Sequence, residues 1–271
     1  MTDLPPVSCY IRTKNEARRI ADVVGAARLA AREVIVVDSG STDGTQEIAR
    51  EAGAIVHHVD WRGNGGQKRA AEDLCTYDWL LDLDADEVIQ PELADGIKAL
   101  FKDGAEPSEP VYGLFQVHAV PFLEPWWNVD NIVKNKFYDR RRIRIPDHPA
   151  WDQLEASKKT SPRLPGVMLH YMFSDIGDLV KKQERNMSRR AAGVGLKSKS
   201  FLALRIVFAF PIYFLKRYLF KGLFRKGVYG FAFSFTIAYG RWLKDVKLYE
   251  RHLRVESEAR HQNTEGEPHH A

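Results

Sequence analysis

Residues 79–87 read Trp-Leu-Leu-Asp-Leu-Asp-Ala-Asp-Glu, an apolar run that ends in a cluster of acidic side chains. Such a run is typical of a buried strand, and the carboxylates follow where that strand ends. Three apolar runs precede it, at 7–11, 33–37 and 54–59, and each is followed by a polar loop and a helix-type pattern. Strand and helix patterns that alternate in this way predict parallel βαβ units and therefore an α/β fold.

Polar loops follow the first two predicted strands. The first contains Thr13-Lys14-Asn15-Glu16, and the second, residues 38–45, reads Asp-Ser-Gly-Ser-Thr-Asp-Gly-Thr. Ligands of parallel α/β sheets bind at the carboxyl ends of the strands, where carboxylates, hydroxyls and helix N-termini suit ribose and phosphate oxygens. The same residue types also build ordinary tight turns and N-caps. Each loop alone therefore leaves both interpretations open.

The sequence Asp84-Ala85-Asp86 places two carboxylates one residue apart after the fourth predicted strand. Such a pair suits a divalent cation, because magnesium typically takes one or two carboxylates together with phosphate oxygens of a substrate. A calcium-binding loop starting at Asp82 is excluded, since its sixth and twelfth positions are Glu87 and Leu93 instead of Gly and Glu. A solvated acidic turn stays open as an alternative. So does a phosphatase of the haloacid dehalogenase type, because residues 84–88 satisfy its D-x-D-x-[TV] pattern.

Taken together, residues 11–16, 36–45 and 79–87 resemble, in their order and spacing, family 2 of the inverting glycosyltransferases. More narrowly, the chain resembles the bacterial branch that contains the lipopolysaccharide-core β-1,4-glucosyltransferases. The likeness is strong over residues 7–90 and weaker beyond them. It implies a GT-A type α/β fold, with a mixed sheet flanked by helices and with C-terminal amphipathic helices. It also implies a nucleotide-sugar donor such as a UDP-hexose, and Mg²⁺ or Mn²⁺ as cofactor.

The same resemblance implies a set of site residues. The donor-binding residues that it implies are Thr13, Asn15, Glu16, Asp38, Ser41, Asp43, Lys68 and Asp84. The metal ligands that it implies are Asp84, Asp86 and His170. A structural role is the alternative for the histidine.

The catalytic base of this branch lies in a Val-His-Glu stretch, to which residues 149–155 of this chain correspond. Trp151 replaces the histidine and Asp152 replaces the glutamate. Asp152 is therefore the first candidate for the base, and Glu155 is the second. The departure from the pattern leaves open a non-catalytic module that binds a nucleotide sugar or a membrane. Four basic residues are candidate contacts for a diphosphate or an anionic acceptor, or else belong to a solvated edge strand: Arg140, Arg141, Arg142 and Arg144.

The net charge of +4 is unevenly distributed, because residues 181–254 contain 18 Lys and Arg against three acidic residues. Within residues 201–250 the basic side chains alternate with aromatic ones, and no apolar stretch reaches the roughly 20 residues that a bilayer requires. This pattern predicts helices that lie on an anionic membrane surface. The alternative is packing on the catalytic domain or in a homo-oligomer. Stacking on nucleic acid is the least favoured interpretation, and we predict no nucleic-acid partner.

We therefore expect a GT-A-like domain over residues 1–195, a basic aromatic helical segment over 196–255 and a disordered tail over 256–271. The first ten residues lack a signal-peptide pattern. The two cysteines, Cys9 and Cys75, suggest buried thiols and not a disulfide framework. We expect a cytoplasmic enzyme, peripheral on the inner face of the cytoplasmic membrane. Its expected acceptor is a lipid-linked saccharide of cell-envelope polysaccharide or lipopolysaccharide-core biosynthesis.

Overall fold

A computed structural model describes residues 4–129, 131–156, 161–195 and 197–265. The chain divides into two compact units, Met1–Met172 and Phe173–Ala271. Each unit has its own buried residues, and the two are described in turn.

The first unit contains a mixed sheet with helices. Its strands are β1 (Val7–Thr13), β2 (Glu33–Asp38), β3 (Ile55–His58), β4 (Trp79–Asp84), β5 (Glu87–Ile89), β6 (Val111–His118), β7 (Ile132–Asp139) and β8 (Met168–His170). Its α-helices are α1 (Ile20–Ala27), α2 (Thr45–Glu51), α3 (Asn64–Leu74) and α4 (Pro91–Ala99). Among the described residues these strands form one sheet in the order β3-β2-β1-β4-β7-β6-β8-β5.

The sheet combines a parallel half with an extension that contains both antiparallel and parallel pairs. Strand β1 pairs in parallel with β2 and β4, and β2 pairs in parallel with β3. Strand β7 pairs antiparallel with β4 and with β6, whereas β8 runs parallel to β6 and antiparallel to β5. The predicted α/β fold with a mixed sheet is therefore confirmed. The parallel half is the part that the alternating sequence patterns predict.

Strand alternation divides the core of the first unit between the two faces of the sheet. Successive side chains of a strand point to opposite faces. Cys9 and Ile11 of β1 accordingly join a cluster with Val23 of α1 and Leu93 of α4. Tyr10, between them, joins a second cluster that includes Ala71 of α3, Ile145 and Leu154. Cys9 and Cys75 are free and buried, as predicted.

The first turn of α3 contacts a later segment of the chain. The helix begins at Asn64, so Gly65 belongs to that turn. The backbone nitrogens of Asn64 and Gly65 donate to the carbonyls of Pro149 and His148, both at 2.9 Å. A β-carbon on Gly65 would lie 2.3 Å from the carbonyl oxygens of Pro146 and Trp151. Only glycine allows this close approach, which packs the segment containing Asp152 against α3.

The second unit is helical. It contains α5 (Ile176–Ala192), α6 (Lys199–Leu215) and α7 (Gly227–Glu265), and both α5 and α6 contact α7. The side chain of Asp175 caps α5 by accepting a hydrogen bond from the Asp178 nitrogen at 2.8 Å. Arg205 of α6 donates to the buried carboxylate of Asp245 of α7, with its Nη2 at 2.8 Å. One π-helical turn, Lys216–Phe220, and one 3₁₀ turn, Leu223–Lys226, connect α6 to α7.

The compact units differ from the predicted segments in two places. Helix α5 belongs to the second unit, whereas the predicted catalytic domain extends to residue 195. Helix α7 continues to Glu265, although a disordered tail is predicted from residue 256. A helix whose first turns are packed extends by one hydrogen bond per residue, so a polar stretch without periodicity can continue it. The rest of the predicted tail, 266–271, lies outside the described residues, and the predicted domain assignment stays a prediction.

Candidate active site

The carboxyl ends of the parallel strands bring the candidate site residues to one edge of the sheet. Thr13 ends β1 opposite Asp38, which ends β2. Arg12 of β1 is the register partner of Asp84, which ends β4. The loops that follow these three strands therefore start side by side, as the sequence predicts.

Asp38 organises the loop that follows it. Its side chain is fully buried, and its Oδ1 accepts hydrogen bonds from the backbone nitrogens of Gly40 and Ser41, both at 2.9 Å. The same oxygen accepts a hydrogen bond from Gln46 Nε2 at 2.7 Å, and Oδ2 accepts one from the Ser41 hydroxyl. This geometry gives Asp38 a positioning role in the loop. A direct contact with a nucleoside stays a prediction.

Reciprocal hydrogen bonds join the loops after β1 and β2. The Asn15 nitrogen donates to the Ser41 hydroxyl at 2.8 Å, and Asn15 Oδ1 accepts from the Thr42 nitrogen at 2.9 Å. Asn15 has a positive φ of 56°, which asparagine tolerates better than most residues. The Asp43 carboxylate accepts a hydrogen bond from the Ala17 nitrogen at 3.1 Å. Asn15, Ser41 and Asp43, all predicted donor contacts, are thus brought together.

Two further predicted donor contacts lie at the end of β1 and in the loop that follows it. The side chain of Thr13 is buried, and its hydroxyl has no hydrogen-bond partner among the described residues. The backbone nitrogen of Glu16 donates to the Thr45 hydroxyl at 2.9 Å, so Glu16 too is attached to the loop after β2.

Hydrogen bonding also changes the pKa of Asp43. Burial by itself raises its pKa, but the hydrogen bonds from Thr45 and Ala17 outweigh that effect and lower it.

A buried ionic cluster supports the end of β4. Lys68 of α3 lies 2.6 Å from Asp82 and 3.8 Å from Asp84. Lys136 of β7 lies 2.6 Å from Glu87 and 3.3 Å from Asp84. Both lysines are almost inaccessible to solvent. The structure thus places Lys68 against carboxylates of the protein, and its predicted contact with the donor stays a prediction.

The cations of this cluster set the ionisation of its carboxylates. Burial alone would raise the pKa of Asp84, but Lys136, Lys68 and Arg12 outweigh it and hold that pKa well below its usual range. For Glu87, burial and the neighbouring Asp84 carboxylate outweigh Lys136, so the pKa is raised. Asp84 is therefore a carboxylate at neutral pH, and an acceptor of hydrogen bonds.

Asp86 and His170 form a partly exposed pair beside this cluster. The His170 Nε2 lies 3.5 Å from Asp86 Oδ2, and their side chains are 21% and 22% exposed. The Tyr171 nitrogen donates to the Asp86 carbonyl at 2.8 Å, which ties the end of β8 to the Asp86 loop. Gln116 of β6 hydrogen-bonds the other ring nitrogen of His170, Nδ1, at 2.7 Å. Burial lowers the pKa of His170, but the Asp86 carboxylate outweighs it and raises that pKa.

The side chains of Asp86 and His170 suit a divalent cation whose remaining ligands come from a bound substrate. Within the described part of the chain, no group of three or more His, Cys, Asp or Glu side chains is arranged to hold a metal ion. Asp84 faces Arg12, Lys68 and Lys136, whereas Asp86 and His170 offer one carboxylate and one imidazole that solvent reaches. Mg²⁺ and Mn²⁺ are commonly bound by one or two protein ligands together with phosphate oxygens. Asp86 and His170 fit that arrangement, and Asp84 fits a supporting role.

Arg12 brings the first candidate base to the same edge. Its Nη2 lies 2.7 Å from Asp152 Oδ2, and its Nε donates to Asp84 Oδ1 at 2.7 Å. Burial alone would lower the pKa of Arg12, but Asp84 and Asp152 outweigh it and raise that pKa further. Two residues after Asp152, Leu154 is buried in the cluster beneath α3. Glu155, the second candidate base, is exposed to solvent.

The basic run after β7 has structural contacts. Arg140 donates to the carbonyls of Glu72 and Cys75 at 2.9 and 2.8 Å, and Arg144 Nε lies 2.7 Å from the buried Glu72 carboxylate. Arg141 pairs with Asp139 at 2.8 Å, and Arg142 donates to the Ser108 carbonyl. The four arginines therefore have partners within the protein, and they follow β7 instead of forming the predicted solvated edge strand. A contact with a diphosphate stays a prediction.

Three residues at this edge of the sheet are not among the site residues that the sequence predicts. Arg12 lies inside the motif at residues 11–16, and a basic residue at the end of a predicted strand could have indicated a role in the site. Lys136 and Gln116 lie within β7 and β6, far along the chain from the acidic cluster, and no local pattern distinguishes them. Only the pairing of β4 with β7 and of β6 with β8 brings them to the site.

Comparison with known proteins gives independent information. Residues 8–148 match the family described as Glycosyl transferase family 2. An uncharacterized glycosyltransferase of Rickettsia typhi is 31% identical over 263 residues, which cover 92% of this chain and 88% of the relative. The lipopolysaccharide core biosynthesis glycosyltransferase LpsC of Rhizobium meliloti is 27% identical over 262 residues, 91% of this chain and 93% of LpsC.

Similarity to solved structures is more limited. The glucosyl-3-phosphoglycerate synthase of Mycobacterium tuberculosis, crystallised with Mn²⁺, UDP and phosphoglyceric acid, is 24% identical over 42% of this chain and 43% of its own. The TM-score is 0.32, a partial likeness that supports no conclusion about function.

Proposed function

The chain belongs to glycosyl transferase family 2, and from this premise we propose that it transfers a hexose from a UDP-sugar to a lipid-linked saccharide with inversion. Its first unit contains the mixed α/β sheet that the resemblance to GT-A enzymes implies. The proposed pathway is the synthesis of lipopolysaccharide core or another cell-envelope polysaccharide. The similarity to LpsC supports this choice, because that relative covers nearly the whole chain.

One observation carries the proposed reaction: Asp84, Asp86 and Asp152 converge at the carboxyl edge of the sheet. Arg12 joins Asp84 to Asp152, while Asp86 faces His170. These groups come from the end of β4, the turn between β4 and β5, and a segment more than 60 residues later. Such an arrangement can place a sugar donor and an acceptor side by side at one edge of the sheet, as group transfer requires.

In the proposed mechanism, the Asp152 carboxylate takes the proton of the acceptor hydroxyl while that oxygen attacks the anomeric carbon. The bond from this carbon to the diphosphate oxygen breaks, and the nucleoside diphosphate leaves with the bonding electrons. Asp86 and His170 would hold a Mg²⁺ or Mn²⁺ ion, and such an ion would supply positive charge for the departing diphosphate. Asp84, kept ionised by Lys136, Lys68 and Arg12, orients the ribose or the cation. Asn15, Ser41 and Asp43 line the nucleoside side in this proposal.

Two alternatives remain distinguishable. A phosphatase loses its support, because the chain belongs to a glycosyltransferase family. A non-catalytic binding module would keep the fold and the donor site but would lack a working base.

Slow release of glucose separates an enzyme from a binding module. We expect the purified full chain to release glucose from UDP-glucose in the presence of Mn²⁺ and without acceptor, because water can take the place of the acceptor hydroxyl. The measurement is free glucose over time, with EDTA as the control that removes the cation. Binding of UDP-glucose without any turnover, with or without an acceptor extract, would favour the binding module. A panel of other nucleotide sugars identifies the preferred donor.

We further propose that the second unit holds the enzyme on the cytoplasmic face of an anionic membrane. Among the described residues, no helix combines the length and hydropathy that crossing a bilayer requires. Large apolar side chains are nevertheless exposed at intervals of three or four residues along α6 and into its connection to α7: Phe201, Leu204, Phe208, Ile212, Leu215 and Leu219. Phe220 and Val228 are 85% and 86% exposed. Exposed apolar surface of this extent indicates an interaction site.

The charge around these apolar residues favours an anionic partner. The connection between α6 and α7 contains five basic residues: Lys216, Arg217, Lys221, Arg225 and Lys226. No acidic residue occurs in the sequence between Glu184 and Asp245. Each basic residue near an anionic bilayer contributes about 1 kcal/mol, and apolar side chains add their burial at the headgroup boundary.

Reversing four of these charges is expected to release the protein from membranes. The variant with Glu at Lys216, Arg217, Lys221 and Arg225 should no longer sediment with phosphatidylglycerol vesicles, whereas the wild type should do so at low salt. Reversal of four exposed basic residues of the first unit, at Arg18, Arg28, Arg50 and Lys102, is the matched control and should leave binding in place. Added salt should weaken wild-type binding, because charges separated by more than about 8 Å are screened at physiological ionic strength.

Two further outcomes are informative for the membrane proposal. Replacement of Phe220 and Val228 by serine should also weaken vesicle binding, since burial of apolar area contributes as well as charge. A wild type that ignores anionic vesicles and sediments as a dimer through this surface would instead support a homo-oligomer.

A further inference from the structure

Arg12 connects the two sides of the proposed site. It occupies the register position of β1 that pairs with Asp84 of β4. Its Nε donates to Asp84 Oδ1 and its Nη2 contacts Asp152 Oδ2, both at 2.7 Å. The third nitrogen, Nη1, donates to the Asn64 carbonyl at 3.3 Å. One guanidinium therefore joins β4, the start of α3 and the segment that contains Asp152.

The two carboxylates depend on Arg12 to different extents. Asp84 ends a strand of the central sheet and also lies 3.3 Å from Lys136 and 3.8 Å from Lys68. Asp152 lies on an irregular segment, between the contacts of Pro149 with the α3 start and the buried Leu154. A side chain on such a segment has no helix or strand to orient it. Loss of Arg12 is therefore expected to displace the Asp152 carboxylate more than that of Asp84.

We propose that Arg12 is a positioning residue that holds the Asp152 carboxylate at a fixed place relative to Asp84, so that the base faces an acceptor oxygen beside the donor sugar. This inference rests on the proposed transfer reaction with Asp152 as its base. Guanidinium is planar and donates in several fixed directions at once, which suits a bridge between two carboxylates. A lysine ammonium is a point charge on a flexible stem and does not reproduce that geometry.

The test combines Arg12→Lys and Arg12→Gln with Asp152→Asn in the full chain. Glucose release from UDP-glucose with Mn²⁺ reports turnover, and calorimetry reports UDP-glucose affinity. We expect each Arg12 variant to lose about 10²-fold in turnover, the loss that a misplacement of roughly 1 Å near the chemistry can cause. Donor affinity should change by less than about threefold, close to the scatter expected for independent sites. Thermal unfolding of each variant checks that it is folded.

A double-mutant cycle distinguishes positioning from a general structural role. If Arg12 acts through Asp152, adding Arg12→Gln to Asp152→Asn should lower turnover by less than about threefold further, because residues that act as a unit are not additive. Arg205→Lys is the matched control. It removes the guanidinium whose Nε and Nη2 donate to the buried Asp245 carboxylate in the second unit, and it should leave turnover unchanged.

Three results would overturn the proposal, and each has a different meaning. Multiplicative losses in the double variant would mean that Arg12 acts independently of Asp152. The assignment of Asp152 as the base would then be unaffected. Equal losses of turnover and donor affinity in Arg12→Lys would assign Arg12 to donor binding. Unchanged turnover in Asp152→Asn alone would remove the base assignment itself, and with it the role given to Arg12.

Discussion

Replacing Asp86 by alanine is expected to abolish Mn²⁺-dependent binding of UDP-glucose while the protein stays folded. Asp86 lies between β4 and β5, and its side chain faces His170 at 3.5 Å, so the substitution removes the carboxylate of the proposed cation site. The side chain is not part of the apolar core, which explains why the fold should survive.

The measurement compares thermal unfolding with and without UDP-glucose and Mn²⁺. A ligand at 100 times its dissociation constant stabilises a protein by about 2.7 kcal/mol, and this gain should vanish in the variant. Asp95→Ala, in the exposed part of α4, is the matched control because it also removes one acidic side chain and should keep the full gain. An Asp86→Ala protein that retains Mn²⁺-dependent nucleotide affinity would exclude Asp86 as a ligand.

Replacing Asp152 by asparagine is expected to lower turnover by about 10² to 10⁴, the usual contribution of general base catalysis, with donor binding almost unchanged. Asparagine has nearly the same shape, and its carbonyl oxygen can still accept a hydrogen bond from Arg12. The substitution therefore removes the capacity to take a proton and leaves the local geometry in place.

The comparison variant for the base is Glu155→Gln. Glu155 is exposed and lies three residues after Asp152, so its substitution should have little effect on turnover. Single-turnover rates of glucose release and UDP-glucose affinity are measured for both variants. A large loss in Glu155→Gln together with a normal rate in Asp152→Asn would move the base to Glu155.

The edge of the sheet that carries the site could be predicted because its signals are local. Apolar runs at β1, β2 and β4 each end in polar residues, and strand alternation explains why Cys9 and Ile11 face one core and Tyr10 the other. Parallel strands end at the same edge of a sheet, and this predicts that the loops containing Asn15, Ser41 and Asp43 lie in one region.

Orientation of side chains within that edge could not be predicted. Asp38 and Lys68 are both predicted donor contacts, yet Asp38 accepts hydrogen bonds from its own loop and Lys68 pairs with Asp82. Which partner a carboxylate or ammonium takes depends on the groups that the fold places within about 4 Å of it. A sequence motif specifies the residue but not that neighbourhood.

Hydrophobic periodicity and local composition were sufficient to predict the α/β class, the strand ends that carry polar residues, and a basic, aromatic C-terminal segment. Tertiary structure was needed to show that Lys136 of β7 supports Asp84, and that Arg12 contacts both Asp84 and Asp152. It also decided that the arginines at 140–144 have structural partners, and that α7 continues to Glu265. Most of these ion pairs join residues that are distant in the chain, and the extension of α7 starts from turns that pack against other helices. Only the folded backbone brings such partners into contact.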